Sequence, residues 1–147
     1  MDKLLNYRKR DKLYQFLIND FGFVKIDEGY DSKSFGNFYI SLSSKDFLID
    51  YINDRSFLDI NIRSKLHPEG SISLTLLKNY LHNPAKLNNS DEGPDNKTRI
   101  ERLNNFLKTD YEKICELVNE NNYLETKTKI DELLKEQFLK RFPNSIK

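Results

Sequence analysis

The fold is decided by residues 35–63, FGNFYISLSSKDFLIDYINDRSFLDINIR. Apolar and polar side chains alternate along this stretch with a period of two, the pattern of β-strands that bury one face. In its last part Leu58, Ile60 and Ile62 point one way, and the polar residues between them point the other way. The stretch therefore predicts a sheet with one buried, apolar face (the dry face) and one solvent-exposed, polar face (the wet face).

The alternation extends upstream and divides into four runs separated by turn formers. The predicted strands are Phe23–Glu28, Phe35–Ser43, Phe47–Asn53 and Phe57–Arg63. The connections are residues 29–33, 43–45 and 53–55. Connections this short allow antiparallel neighbours and leave no room for crossover helices. We therefore expect a four-stranded antiparallel meander.

Helical periodicity flanks the predicted sheet on both sides. Apolar residues at steps of three and four predict helices over residues 3–20, 74–81, 98–120 and 123–141. Residues 83–97 lack periodicity and are rich in turn formers, which predicts a mobile loop. Thr98 and Glu101 have the spacing of a capping box at the start of the third helix.

These patterns together predict one α+β domain over residues 1–147. An N-terminal helix precedes the meander, and three C-terminal helices pack on one face of the sheet, the last two as a helical hairpin at about residues 98–141. No apolar run approaches the ~18 residues of a membrane span, and no secretory core follows Met1. We expect a cytoplasmic protein without membrane contact.

The residues that usually carry chemistry are sparse in this sequence. The single cysteine, Cys115, lies among apolar residues and is interpreted as a small core residue. There is no nucleophile elbow, phosphate-binding glycine loop or metal-ligand spacing, so we expect no metal and no cofactor. An enzymatic alternative stays open, in which His67 or His82 acts as a general base.

The distribution of charge is more informative than the net charge of +1. The near-neutral total argues against nucleic-acid binding, and the basic cluster at residues 8–12 is interpreted as a solvated helix face. Residues 19–62 hold eight acidic and four basic side chains, a balance of −4. Their aromatic residues are interleaved with aspartates, so any ring on the wet face would be an anchor surrounded by acid.

The order of the elements also resembles small bacterial immunity-type proteins of polymorphic toxin systems. The resemblance covers residues 10–63 best and depends on Phe21-Gly22-Phe23, Phe35-Gly36-Asn37 and Asn53-Asp54-Arg55. These proteins share no catalytic motif, so the resemblance assigns no functional residue. It implies a cytoplasmic protein that blocks a toxin domain, such as a basic nuclease, with an acidic face.

The leading hypothesis is therefore a non-enzymatic module that binds a basic protein, such as a toxin domain, through the wet face of its sheet. The candidate contacts are Asp46, Asp50, Tyr51, Asp54 and Asp59. Besides the enzymatic alternative, the apolar stripe over residues 98–141 allows a homodimer or larger homo-oligomer with a structural role.

Overall fold

The structure is a computed structural model that describes residues 11–31, 33, 36–87 and 95–142. Its elements are α1 Asp11–Phe21, β1 Val24–Asp31, β2 Asn37–Ser43, β3 Leu48–Asp54, β4 Phe57–Arg63, β5 Ile72–Ser73, α2 Leu74–His82, α3 Asn96–Thr109, α4 Tyr111–Val118 and α5 Tyr123–Arg141. A 3₁₀ turn at Pro84–Lys86 lies between α2 and α3. The α+β class predicted from the sequence is confirmed.

Several predictions fall partly on residues that the structure leaves undescribed, among them the start of the predicted strand at Phe35. The start of the N-terminal helix before Asp11 lies outside the described residues, and so do residues 8–10 of the basic cluster. Residues 88–94 of the predicted loop lie outside them as well. The first part of that loop is held by one side chain, because the Gln137 amide donates to the Pro84 carbonyl and accepts from the Leu87 N–H, both at 2.8 Å.

The sheet is an antiparallel meander in the order β1-β2-β3-β4-β5. It contains the four predicted strands and a fifth strand of two residues, Ile72–Ser73, which pairs with β4. The first strand continues to Asp31 and includes Gly29, which the sequence predicts in a turn. Gly29 pairs with Tyr39 of β2, and a Cβ atom at this position would come within 2.4 Å of the Tyr39 ring.

On β2, β3 and β4, the face of the sheet that packs against helices carries eight apolar side chains and the polar Asn53 in register. Opposite one another lie Phe38, Ile40 and Leu42 of β2, Asn53, Tyr51 and Ile49 of β3, and Leu58, Ile60 and Ile62 of β4. All nine side chains are buried. Full burial of one Leu, Ile or Phe side chain stabilises a fold by roughly 1.5–3 kcal/mol, so this layer is the core.

Helices α1 and α3 are fixed to the core face by a chain of hydrogen bonds. The Tyr51 hydroxyl donates to Asn104 Oδ1 at 2.8 Å, and Asn104 Nδ2 donates to the Leu13 carbonyl at 3.0 Å. The Tyr14 ring of α1 lies 6.0 Å from the Tyr51 ring. One amide on α3 thus positions both the first helix and the central strand.

Helix α4 closes one end of the core through an aromatic cluster. The Tyr111 ring lies 4.4 Å from Phe21, 5.6 Å from Phe47 and 6.3 Å from Phe23. These three phenylalanines come from the end of α1 and from the segments that lead into β1 and β3. The cluster therefore joins three separate connections of the chain.

The long helix predicted from about residue 98 is two helices that meet at Asp110. The Asp110 N–H donates to the Phe106 carbonyl at 2.9 Å and ends α3. The apolar stripe continues across this junction into α4. Helix α3 begins at Asn96, since the Asp95 carboxylate accepts from the Thr98 N–H at 2.7 Å. The predicted capping box at Thr98 is wrong because the aspartate three residues earlier is the stronger N-cap.

Strand β4 has an edge that side chains pair where β5 does not reach. Asn96 Oδ1 accepts from the Leu58 N–H at 3.2 Å, and Asn96 Nδ2 donates to the Ser56 carbonyl at 2.9 Å. The Arg99 guanidinium donates to the Leu58 carbonyl at 2.8 Å and lies 4.0 Å from the Phe57 ring centre. The start of α3 thus takes the place of a neighbouring strand.

Candidate protein-binding surface

The outer face of the sheet, opposite the helices, holds three of the five residues that the sequence suggested as contacts. Asp50 and Asp54 lie on this face of β3, and Asp59 lies on the same face of β4. Asp46 precedes β3, and Asp54 lies at the opposite end of this seven-residue strand, which is roughly 20 Å long. The structure therefore does not bring the five together.

Tyr51 points away from the predicted surface, so its assignment as a contact needs correction. Its side chain is fully buried on the core face, where its hydroxyl bonds Asn104. Burial raises the pKa of the Tyr51 hydroxyl far above its ordinary value. The alternation of a strand explains the error: Asp50 and Ile52 on either side of Tyr51 face outward, so Tyr51 faces inward.

Asp50 faces outward, but its carboxylate is already occupied by neighbouring side chains. Ser41 Oγ donates to Oδ1 at 2.6 Å, Arg63 Nε donates to Oδ2 at 2.6 Å, and Arg63 Nη2 donates to Oδ1 at 2.8 Å. Only 10% of the Asp50 side chain is exposed. Because a paired, buried carboxylate has little charge left to offer a partner, Asp50 is assigned a structural role.

Asp46 and Asp59 are both partly covered by the protein itself. Asp46 accepts a hydrogen bond from the Tyr111 hydroxyl at 3.2 Å and lies 3.9 Å from the Lys45 ammonium. Burial raises the pKa of Asp59, against the opposing effects of the Ile60 N–H and the Arg99 charge. Among the five candidates, Asp54 is therefore the one that is exposed on the outer face.

Exposed apolar side chains accompany Asp54 on this face, and sequence reasoning had not selected them. Tyr39 is 42% exposed and Phe57 is 53% exposed, and Ile52 lies directly opposite Tyr39 in the sheet. Phe57 is the register partner of Asp54. Their positions could have been read from the alternation, because Tyr39 lies between the apolar Phe38 and Ile40 and Phe57 precedes the apolar Leu58.

Two further aspartates of β1 complete the surface. Asp31 pairs with Asn37 at the end of β2, and the Asn37 amide lies 3.5 Å from Asp54. Asp27 accepts a hydrogen bond from the Tyr39 hydroxyl at 3.2 Å. We use the name outer patch for this set of six residues: Asp27, Asp31, Tyr39, Ile52, Asp54 and Phe57.

The Tyr39 ring is held in place at the centre of the outer patch. It packs on the Cα of Gly29, where the missing side chain leaves room for the ring. The hydrogen bond to Asp27 and the negative charge of that carboxylate raise the pKa of Tyr39. A shallow depression of about 340 Å³ adjoins the ring, and Asp31 and Asp54 are among its lining residues.

The two histidines have separate surroundings and do not form a pair. The His67 Nδ1 atom lies 3.7 Å from a Glu69 carboxylate oxygen, and its ring stacks at 6.4 Å on Tyr123. The His82 Nε2 atom lies 2.8 Å from Asp110 Oδ2. The imidazoles therefore do not converge on one site.

Other kinds of site find no support among the residues that the structure describes. Within them, no group of three or more His, Cys, Asp or Glu side chains is arranged to hold a metal ion. Within the same ranges, no helix has both the length and the apolar character needed to cross a membrane. No protein-family model, curated protein or solved structure matches this chain significantly.

Proposed function

We propose that this chain is a non-enzymatic binding protein that holds a basic protein partner on the outer patch. The observation that carries the proposal is the grouping of Tyr39 and Phe57, two half-exposed rings, with aspartates on one face of a sheet. Aromatic residues are typical anchors of protein interfaces, and charges around them steer a partner of opposite charge.

The balance of charge supports a basic partner. Asp27, Asp31 and Asp54 are exposed on this face, and Asp50 is covered and paired with Arg63 within the sheet. Arg99 lies 4.0 Å from the Phe57 ring centre, but it is buried. Arg63, which interacts with the charge of Asp27, is paired with Asp50. The face is thus negative at its centre and would attract a positive surface.

The rigidity of the outer patch also supports a binding role. Its side chains are on strands, and the Tyr39 ring is fixed by Gly29 and by Asp27. A ring that is ordered before binding loses little conformational entropy when a partner covers it. This reduces the free-energy cost of forming the complex.

The partner that we propose is a toxin domain. The resemblance to immunity-type proteins of polymorphic toxin systems implies a bacterial cytoplasmic setting and a basic domain, such as a nuclease, as the target. A negative face with aromatic anchors suits such a domain because it can cover a cationic active-site cleft. Inhibition would come from steric cover and would require no chemistry from this chain.

Capture of partners from lysate of the native host tests the proposal. Wild-type protein is expected to enrich a basic protein, and D31K/D54K is expected to lose at least about tenfold of the captured amount because attraction becomes repulsion. Tyr39→Ala should also weaken capture relative to the wild type, because it removes an aromatic anchor. Raising the salt concentration should also weaken it.

A matched control separates local from general electrostatics. E120K/E132K makes the same change in net charge at exposed positions near and on α5, and it is expected to capture the partner as wild type does. The proposal is wrong if no basic protein is enriched, or if D31K/D54K and E120K/E132K behave alike. Circular dichroism of each variant checks that the fold is kept.

A further inference from the structure

Helix α5 carries apolar side chains on two of its sides. One side packs into the core, where Tyr123 and Ile130 are buried. On another side Leu124 is 54% exposed, Phe138 is 45% exposed and Phe142, the residue after the helix, is 47% exposed. A surface helix needs one apolar side to pack on its own core, so the second side is a candidate contact surface.

This exposed side differs from the stripe that suggested an oligomer in the sequence. Of that stripe, Ile114, Val118 and Ile130 are buried in the core. The exposed side consists of six exposed residues that are alternately four and three positions apart, and we call them the α5 stripe: Leu124, Thr128, Asp131, Lys135, Phe138 and Phe142. Alternating steps of four and three are the heptad spacing with which two helices pack along a common seam.

The order of charges along the α5 stripe is self-complementary. Its two middle residues are Asp131 and Lys135, and neither forms an ion pair within the described part of the chain. When two copies of α5 lie antiparallel about a two-fold axis between these positions, Asp131 of each copy lies opposite Lys135 of the other. A parallel pair would place each charge opposite its own kind. Charge complementarity therefore favours an antiparallel pair of identical helices.

The same antiparallel register brings the apolar residues of the α5 stripe together. It places Leu124 opposite Phe142, and the methyl group of Thr128 opposite the Phe138 ring, twice each by symmetry. The Phe138 and Phe142 rings already lie 5.1 Å apart, so they form one apolar surface at the end of the helix. Exposed aromatic rings of this kind are typical interface anchors. Apolar contacts would thus flank the two central ion pairs.

We infer that the chain forms a homodimer in which the α5 stripes of two copies pack antiparallel. The stripe spans 18 steps of 1.5 Å, about 27 Å, along one helix of each copy. Such a contact is small beside the ~1,200–2,000 Å² of standard interfaces, so we expect a dissociation constant of about 10–100 µM. The six residues of the stripe are distinct from the outer patch, which the dimer would leave available.

Sedimentation equilibrium of the whole chain, from about 1 to about 300 µM, tests the inference. The average mass is expected to rise with concentration from that of a monomer toward twice that value. Phe138→Ala should weaken dimerisation at least about tenfold, because it removes an aromatic anchor. Glu136→Lys is the control, since this residue of α5 is exposed but lies outside the stripe. Wild-type chain that stays monomeric at about 300 µM would overturn the inference.

Exchange of charges between two variants tests the antiparallel register. D131K and K135D each leave like charges opposite one another, so each alone should dimerise at least about tenfold more weakly than wild type. In an equimolar mixture every middle position of one variant faces an opposite charge on the other, and a heterodimer is expected to form about as tightly as the wild-type dimer. The inference is wrong if the mixture does not associate, or if D131K dimerises as Glu136→Lys does.

A helix of a different protein is the alternative occupant of the α5 stripe. If the chain stays monomeric and Phe138→Ala loses a protein that wild type captures from host lysate, the stripe binds that protein and the inference fails. The dimer does not depend on the proposed function. D31K/D54K is expected to lose the basic partner and still dimerise as wild type, whereas D131K is expected to lose the dimer and still capture the partner.

Discussion

Replacing Arg63 by methionine is expected to lower the free energy of unfolding by about 2–4 kcal/mol. Arg63 donates two hydrogen bonds to the Asp50 carboxylate, at 2.6 and 2.8 Å. Net values of roughly 1.5–3 kcal/mol for each bond to a charged group would give a larger sum. The sum is reduced because 23% of the Arg63 side chain and 10% of the Asp50 side chain are exposed.

Substitution of the partner residue, Asp50→Asn, should lower the free energy of unfolding by less than Arg63→Met does. Without Arg63, the described part of the chain leaves Asp50 one hydrogen bond, from the Ser41 hydroxyl, and the carboxylate remains a covered charge. With Asp50→Asn, the Arg63 guanidinium can still donate to the Pro68 carbonyl and reach water. We expect a loss of about 1–2 kcal/mol for Asp50→Asn, and a coupling energy above ~1 kcal/mol in the double-mutant cycle.

Urea unfolding followed by far-ultraviolet circular dichroism measures these effects. With a slope of about 2 kcal/mol per molar urea, the midpoint for Arg63→Met should fall by roughly 1–2 M. Asp54→Asn serves as the control, because an exposed aspartate on the same strand should change stability by less than ~0.5 kcal/mol. A midpoint for Arg63→Met equal to that of the control would refute the structural role of the Asp50–Arg63 pair.

Three further predictions concern the thiol, a turn and the core. At pH 8 Cys115 should react with an aromatic disulfide reagent about a hundredfold more slowly in native than in denatured protein, because burial raises the thiol pKa from 9.0 to about 11. The contribution of the protonated thiol to the free energy of unfolding is present below pH 9 and should be lost as the pH rises through 11, which urea titrations measure. Arg55→Asn with Ser56→Gly should raise the melting temperature by about 2–4 °C, since both residues have positive φ (52° and 66°); a decrease would contradict this. Tyr51→Phe should cost about 1–2 kcal/mol by leaving Asn104 Oδ1 without its donor, while partner capture stays unchanged; reduced capture by a folded variant would contradict the inward position.

The fold was largely predictable because local patterns determine it. Alternation in residues 35–63 specifies both the strands and their buried face, and the short connections specify their antiparallel order. The fifth strand escaped prediction because Ile72–Ser73 is too short to show a period. Asp110 was missed as a helix junction since the apolar stripe runs through it unbroken.

The candidate site was harder to predict because it depends on contacts between strands. Parity alone could have excluded Tyr51 and included Tyr39 and Phe57. It could not show that the Asp50 carboxylate is hydrogen-bonded to Arg63. Arg63 lies thirteen positions later in the sequence, and the register of β3 and β4 brings the two side chains together. Exposure of the rings also depends on where the helices end, which sequence periodicity leaves open.

The amide of Asn96 has a consequence for how the chain is made. The side-chain amide of Asn96 accepts and donates hydrogen bonds beside β4 as the backbone of a neighbouring strand would. Its partners Leu58 and Ser56 precede it by 38 and 40 positions in the sequence. During synthesis the meander leaves the ribosome well before α3, so its last long strand waits with unpaired backbone groups that another nascent chain could extend. In the folded chain α3 covers this part of the β4 edge, so the edge is no longer open for pairing with another chain.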